Sequence, residues 1–226
     1  MQPALGLDPA PARAAGSAVS EAPAWHAPGE PHPVAGFASG TVDVWWLSAA
    51  RGDPVVRKLI ARYAGEHPAS LRLASGPHGK PMLEAARLRF NLSHSGGTTL
   101  LAFALDAEVG VDVEHARIVR RRDALLARCF TPAERARLRA TPDPDTALLA
   151  AWTAKEAVVK AIGRGLAYGL ARVELDLAGE HPRLAAVAGE AGPAARWTLR
   201  ALPPLPAASA ALAHAAGPLA LRCFRG

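Results

Sequence analysis

The sequence predicts an α+β fold, and three observations carry that expectation. Half of the 226 residues are apolar, enough to bury a sizeable core in one domain or two small ones. Stretches of strand character fall into two groups, Val42 to Glu114 and Arg172 to Phe224. Between them, Thr131 to Ile162 reads as helix. Two β-rich groups with helices on their faces make α+β the expected class.

Residues 1–40 hold seven prolines, five glycines and no lysine, and are expected to form a disordered leader. Val42, Val44 and Trp46 alternate with Asp43 and Trp45, the period of a strand. Asp53 and Pro54 open a helix to about Tyr63, as N-cap and first helical residue. Strands are expected at Leu71–Ala74, Leu88–Leu92 and Thr98–Leu105. Gly76-Pro77-His78-Gly79 reads as a turn, and so does the run Ser93-His94-Ser95-Gly96-Gly97. Val109–Glu114 is a further strand. Thr131-Pro132-Ala133-Glu134 has the form of a capping box. A second helix starts near Asp143-Pro144 and runs to about Ile162, where Gly163 and Gly165 end it. Arg172–Leu177, Arg196–Leu202 and Leu219–Phe224 return to strand. No sequence repeat is visible. The expected division is a leader over 1–40, an N-terminal unit over 41–107 and a C-terminal unit over 108–226.

Composition excludes several classes. The longest uncharged run, Ala201–Leu221, contains Pro203, Pro204, Pro206 and Pro218, so it cannot be one membrane-spanning helix. No basic stretch followed by an apolar run stands at the start of this sequence, so a secretory signal is not expected. Cys129 and Cys223 lie far apart without ligand spacing, which points to a reducing, cytoplasmic setting. The formal net charge is +6, with four lysines, Lys58, Lys80, Lys155 and Lys160, against twenty-two arginines. Such a surface suits an anionic partner. Arg120-Arg121-Arg122 reads as a solvated face or a dock for an acidic protein; without interleaved aromatics it does not read as a nucleic-acid module.

Four constellations carry chemistry. In Gly110-Val111-Asp112-Val113-Glu114, strand alternation puts Asp112 and Glu114 on one face, about 6–7 Å apart. Two carboxylates so placed can grip a hard cation such as Mg²⁺; the alternative is the wet face of an ordinary strand. In the second helix, Glu156 and Lys160 lie one turn apart, in a stretch otherwise rich in Ala, Val and Trp. There, charge is costly unless used; the alternative is a surface ion pair. Phe90-Asn91-Leu92-Ser93-His94-Ser95 offers hydroxyls and an imidazole for a phosphate or ribose. Ser93 and His94 are poorly placed as a nucleophile–base couple, because adjacent strand residues face opposite ways. Gly79-Lys80-Pro81 sets a lysine in a turn, solvated or facing a phosphate.

Taken in order, these motifs resemble the 4'-phosphopantetheinyl transferase superfamily, Sfp type: Gly79-Lys80-Pro81, Phe90 to Ser95, Gly110 to Glu114, Phe130 to Glu134, and Trp152-x-x-Lys155-Glu156-Ala157-x-x-Lys160-Ala161-x-Gly163-x-Gly165-Leu166. The resemblance implies a pseudo-dimer of two similar α+β subdomains, with the active site in the cleft between them. It implies transfer of the phosphopantetheine arm of coenzyme A to a serine of an acidic apo carrier protein, in fatty-acid, polyketide or non-ribosomal peptide biosynthesis. It implies magnesium held by Asp112, Glu114 and Glu156, with Glu156 as general base and Lys160 neutralising the departing phosphate. Lys80, Ser93, His94, Lys155 and Lys160 would hold the coenzyme. A monomer is expected, with neither nucleic acid nor membrane as partner. A non-catalytic binding protein of the same fold is the alternative. Family members usually insert a basic segment between the first strand and the helix that starts here at Asp53; this chain passes directly, leaving Arg51 and Arg57 as the nearby basic residues.

Overall fold

The computed structural model describes residues 24–26, 34, 37–84, 87–215, 217 and 219–226. The first half contains β1 (Trp25–His26), β2 (Thr41–Leu47), α1 (Pro54–Ala64), β3 (Leu73–Ser75), β4 (Pro81–Leu83), β5 (Leu88–Ser95) and β6 (Thr98–Leu105). The second contains β7 (Val109–His115), α2 (Arg122–Cys129), α3 (Pro132–Arg139), α4 (Pro144–Ile162), β8 (Val173–Asp176), β9 (Arg183–Val187), β10 (Trp197–Ala201), β11 (Ala208–Ala215) and β12 (Ala220–Arg225).

Two sheets form the centre. One has the order β1-β12-β2-β6-β5 and the other β10-β11-β7. The alternation in the sequence decides what lies on each face. Trp45 and Leu47 of β2, with Leu101 and Phe103 of β6, pack under Val56, Leu59, Ile60 and Tyr63 of α1. The intervening Val42, Val44, Leu100 and Ala102 meet Val109, Val111 and Val113 of β7 between the two sheets. On the far side, α4 packs its Ala154, Ala157, Val158 and Ala161 against Ala211 and Ala213 of β11. The layers are therefore helix, sheet, sheet, helix.

The same plan occurs twice. β2, α1, the β3–β4 hairpin, β5 and β6 are matched by β7, the helices ending in α4, the β8–β9 hairpin, β10 and β11. In both, the first strand pairs antiparallel with the last, which pairs with the one before it. The α+β class and its two similar units are thus seen in the topology, although no sequence repeat announces them.

The caps form where the sequence places them. Asp53 accepts from the Val55 amide, and Asp143 from the Thr146 amide. Thr131 and Glu134 close a reciprocal capping box. Gly163 ends α4 at φ 82°, a left-handed conformation that costs glycine least.

The sequence reading holds no element at α2, β4, β9 or β11, and two further details depart from it. β5 continues through Ser93, His94 and Ser95, so the turn expected there shrinks to Gly96-Gly97 between the paired Ser95 and Thr98. Within the expected leader, Trp25–His26 runs parallel to β12, and the Trp25 indole donates to the Pro203 carbonyl at 3.2 Å; most of that leader lies outside the described residues. β12 itself joins the first sheet, parallel to β2. It is secured by Arg222, which donates to both oxygens of the buried Asp43 at 2.7 and 2.8 Å. The Tyr63 hydroxyl donates to the same carboxylate at 2.7 Å.

Candidate active site

The valines of β7 face the other sheet, so Gly110, Asp112 and Glu114 must face α4. The approach there is unusually close. A Cβ added at Gly110 would stand 2.2 Å from the Ala157 carbonyl oxygen and 2.3 Å from the Ala161 nitrogen. Only glycine lets the strand and helix come so near, and this sets the acidic residues of β7 beside Glu156 and Lys160 of α4. The result is a cleft of about 380 Å³, lined by Arg51, His78, Lys80, Ser93, His94, Asp112, Glu114, Trp152, Glu156 and Lys160 among others.

Polar contacts inside the cleft are short. The Lys160 ammonium donates to Asp112 Oδ1 at 2.6 Å and to Ser93 Oγ at 2.9 Å. Ser93 donates to the same Asp112 oxygen at 2.6 Å. Ser95 donates to Glu114 Oε2 at 3.2 Å, and the Asn91 side chain accepts the Val111 amide at 2.9 Å. Asn91, Ser93 and Ser95 form a period-two polar ladder on β5 that holds β7 in place. The sequence suggests ligand groups in the hydroxyls of this run and does not announce the ladder, although the alternation of Asn91, Ser93 and Ser95 is its signal.

The electrostatics follow from burial. Asp112 is 4% exposed, and burial pushes its carboxyl above the usual carboxylate range, against the pull of Lys160. Burial, with the neighbouring Asp112, pushes Glu156 up to about 7. Asp112 Oδ2 is buried with no hydrogen-bond partner. A bare buried carboxylate oxygen is costly, and all three acidic groups offer hard oxygen donors of the kind Mg²⁺ prefers. The donor chemistry therefore fits a hard cation. Among the described residues, no three such donors converge closely enough to enclose one as they stand.

Of the residues expected at the site, Lys80, Ser93, His94, Asp112, Glu114, Glu156 and Lys160 line this cleft. Lys80 also donates to Glu108 and to the Val109 carbonyl, both at 3.0 Å. Lys155 does not line it, and the expected coenzyme role for it is corrected. Its side chain is fully buried on another face of α4. There it donates to Glu134 at 2.8 Å and to the carbonyls of Cys129, Leu170 and Val173 at 3.0, 3.3 and 2.6 Å. Arg57 is likewise engaged, with the carbonyls of Pro68 and Leu71, whereas Arg51 lies on the cleft wall.

Fold and site together define a two-unit α+β protein with a carboxylate–lysine cleft suited to phosphate chemistry. Residues 108–212 match the sequence model of the 4'-phosphopantetheinyl transferase superfamily. It is 33% identical over 142 residues to the 4'-phosphopantetheinyl transferase HetI of Nostoc sp., covering 60% of this chain and 59% of that one. It is 38% identical over 128 residues to AcpT of Salmonella typhimurium, with 54% and 62% covered. It is 31% identical over 144 residues to the human L-aminoadipate-semialdehyde dehydrogenase-phosphopantetheinyl transferase, with 58% and 47% covered. The chain thus spans about half to three fifths of the length of these curated relatives. No helix of the described residues is long and apolar enough to cross a membrane.

Proposed function

We propose that this protein transfers the phosphopantetheine arm of coenzyme A to a serine of an apo carrier protein, releasing adenosine 3',5'-bisphosphate. The observation that carries this reading is the meeting of Asp112 and Glu114 on β7 with Glu156 and Lys160 on α4 in one cleft. Asp112, Glu114 and Glu156 would hold magnesium, which supplies charge neutralisation at the pyrophosphate oxygens. Glu156, able to carry a proton near neutral pH, takes it from the carrier serine hydroxyl. The serine oxygen bonds to the pantetheine-side phosphorus as the bond to the bridging oxygen breaks. Lys160 stabilises the negative charge on the departing bisphosphate. Lys80, Ser93 and His94 hold the phosphates and the nucleotide end. Residues between 51 and 94 from the first unit and between 112 and 165 from the second supply the walls of the cleft, while β12 returns to the first sheet.

The carrier reads a basic surface beside Glu114. Ile118, a large apolar residue 84% exposed, stands in the sequence between Arg117 and the run Arg120-Arg121-Arg122. An acidic carrier would be steered there, with an on-rate that falls as salt rises. Two buried, unpaired thiols, Cys129 and Cys223, suit the cytoplasm, and the protein is expected to act as a monomer.

The test is intact mass of apo carrier proteins after incubation with the protein, coenzyme A and magnesium. One added phosphopantetheine arm, lost in chelator and lost with Glu156→Gln, is expected. Loss of at least about 10²-fold in rate is the scale for such a group. A fully active Glu156→Gln enzyme would remove this mechanism.

A further inference from the structure

The two β7 carboxylates are neutralised from different directions. Asp112 is served from inside the cleft by Lys160 and Ser93, and keeps one bare oxygen. Glu114 is served from outside. Arg117, three residues further on, donates to Glu114 Oε2 at 2.6 Å. Its anchorage elsewhere is slight, a single contact to the His115 carbonyl at 3.3 Å. The Arg117 side chain is 52% exposed and that of Glu114 19% exposed. The guanidinium therefore sits at the cleft mouth, on the one oxygen of Glu114 that Ser95 also addresses.

Resting on the cation site proposed above, we propose that Arg117 is a counter-ion latch that competes with a divalent cation for Glu114. A dication taking this carboxylate meets a positive group already at hydrogen-bond distance, and like charges so close repel. Arg117 must swing away before Glu114 turns to the ion. An exposed pair of this kind biases an equilibrium by at most about fivefold, so the latch is weak enough to release and strong enough to measure. Because Arg117 also begins the basic surface, whatever binds that surface and takes the guanidinium frees Glu114. Arg117 is a positioning residue here; it acts on the cation site through Glu114 and touches no reacting atom.

The test is binding of Mn²⁺ to the full chain, followed by the electron paramagnetic resonance of the free ion at fixed ionic strength. Wild type is expected to bind one Mn²⁺ in the cleft, and Asp112→Asn to lose it. Arg117→Gln should tighten binding about two- to fivefold, while Arg117→Lys, which keeps a cation within reach of Glu114, stays near wild type. Arg120→Gln removes the same charge without the Glu114 contact and should change little. Unchanged or weaker binding by Arg117→Gln overturns the latch. Equal tightening by Arg120→Gln overturns it too, in favour of a general surface field. If wild type binds no Mn²⁺, or Asp112→Asn binds it as wild type does, the cation site itself fails and the latch with it.

Discussion

Glu156→Gln should make the cation-free protein more stable above neutral pH while abolishing transfer. The Glu156 carboxyl is raised from its ordinary value of 4.5 to about 7, first by burial and then by the charge of Asp112. A carboxyl that holds its proton more tightly when folded favours the folded state fully below about 4.5. That contribution is lost as the pH climbs through about 7, because ionisation is then easier in the unfolded chain. At ~1.4 kcal/mol per tenfold change in proton affinity, the interval from 4.5 to about 7 corresponds to at most about 3–4 kcal/mol. Gln is neutral throughout, so the variant keeps at pH 8 what the wild type has given up. For a chain of this size 1 kcal/mol moves the melting temperature by roughly 2–4 °C, so the gain is several degrees and no more than roughly 6–16 °C.

The assay is thermal unfolding of both proteins in chelator at pH 5 and pH 8. The difference should be small at pH 5 and large at pH 8, and adding magnesium should shrink it by stabilising only the wild type. The same difference at both pH values would refute the reasoning, as would a variant that is less stable at pH 8. Either result would mean that Glu156 is held by compensating contacts rather than crowded against Asp112. A confirmed gain would show a site maintained at a cost in stability, the usual relation between activity and stability at a charged cleft.

Other perturbations test how the cleft is assembled. Gly110→Ala places a methyl group 2.2 Å from the Ala157 carbonyl; it should destabilise by several kcal/mol, on the order of the largest single-residue effects, seen in the urea midpoint. Lys155→Met leaves the buried Glu134 without its counter-ion, held only by the Thr131 and Leu175 amides, and should cost about 3–5 kcal/mol. Adding Glu134→Gln should recover part of that loss in the same urea titration, because the stranded charge is gone. Asp43→Ala strips Arg222 and Tyr63 of their shared acceptor; it should cost about 3–5 kcal/mol and open β12 to amide hydrogen exchange ahead of β6.

Much of this architecture was legible because it depends on local chemistry. The caps at Asp53, Thr131 and Asp143 form by side-chain bonds to amides two or three residues away. The pairing of faces on β2 and β7 follows from alternation alone. What stayed hidden depends on partners distant in sequence. β11 is Ala-Ser-Ala-Ala-Leu-Ala-His-Ala, which lacks the β-branched and aromatic residues that mark strands. Its place is decided by pairing with β7 and β10. Lysine in a motif suggests a ligand, yet the acceptors that bury Lys155 come from Cys129, Leu170 and Val173, and no local pattern brings those together.

The two units share a topology but differ in the size of what lies beneath their helices, and that difference bears on function. In the first, α1 rests on Trp45, Leu47, Phe90, Leu101 and Phe103, large side chains that hold a helix well off its sheet. In the second, α4 rests on Gly110, Ala211 and Ala213. Those positions leave so little between backbone and backbone that the helix comes down onto β7. On that side a lysine of the helix, Lys160, reaches the strand carboxylate of Asp112 at 2.6 Å, where in the first unit the strand carboxylate of Asp43 meets the long, aromatic Tyr63. Small residues in β7 and β11 thus act as spacers that bring the charged groups together. A second unit padded like the first would keep the fold and lose the cleft.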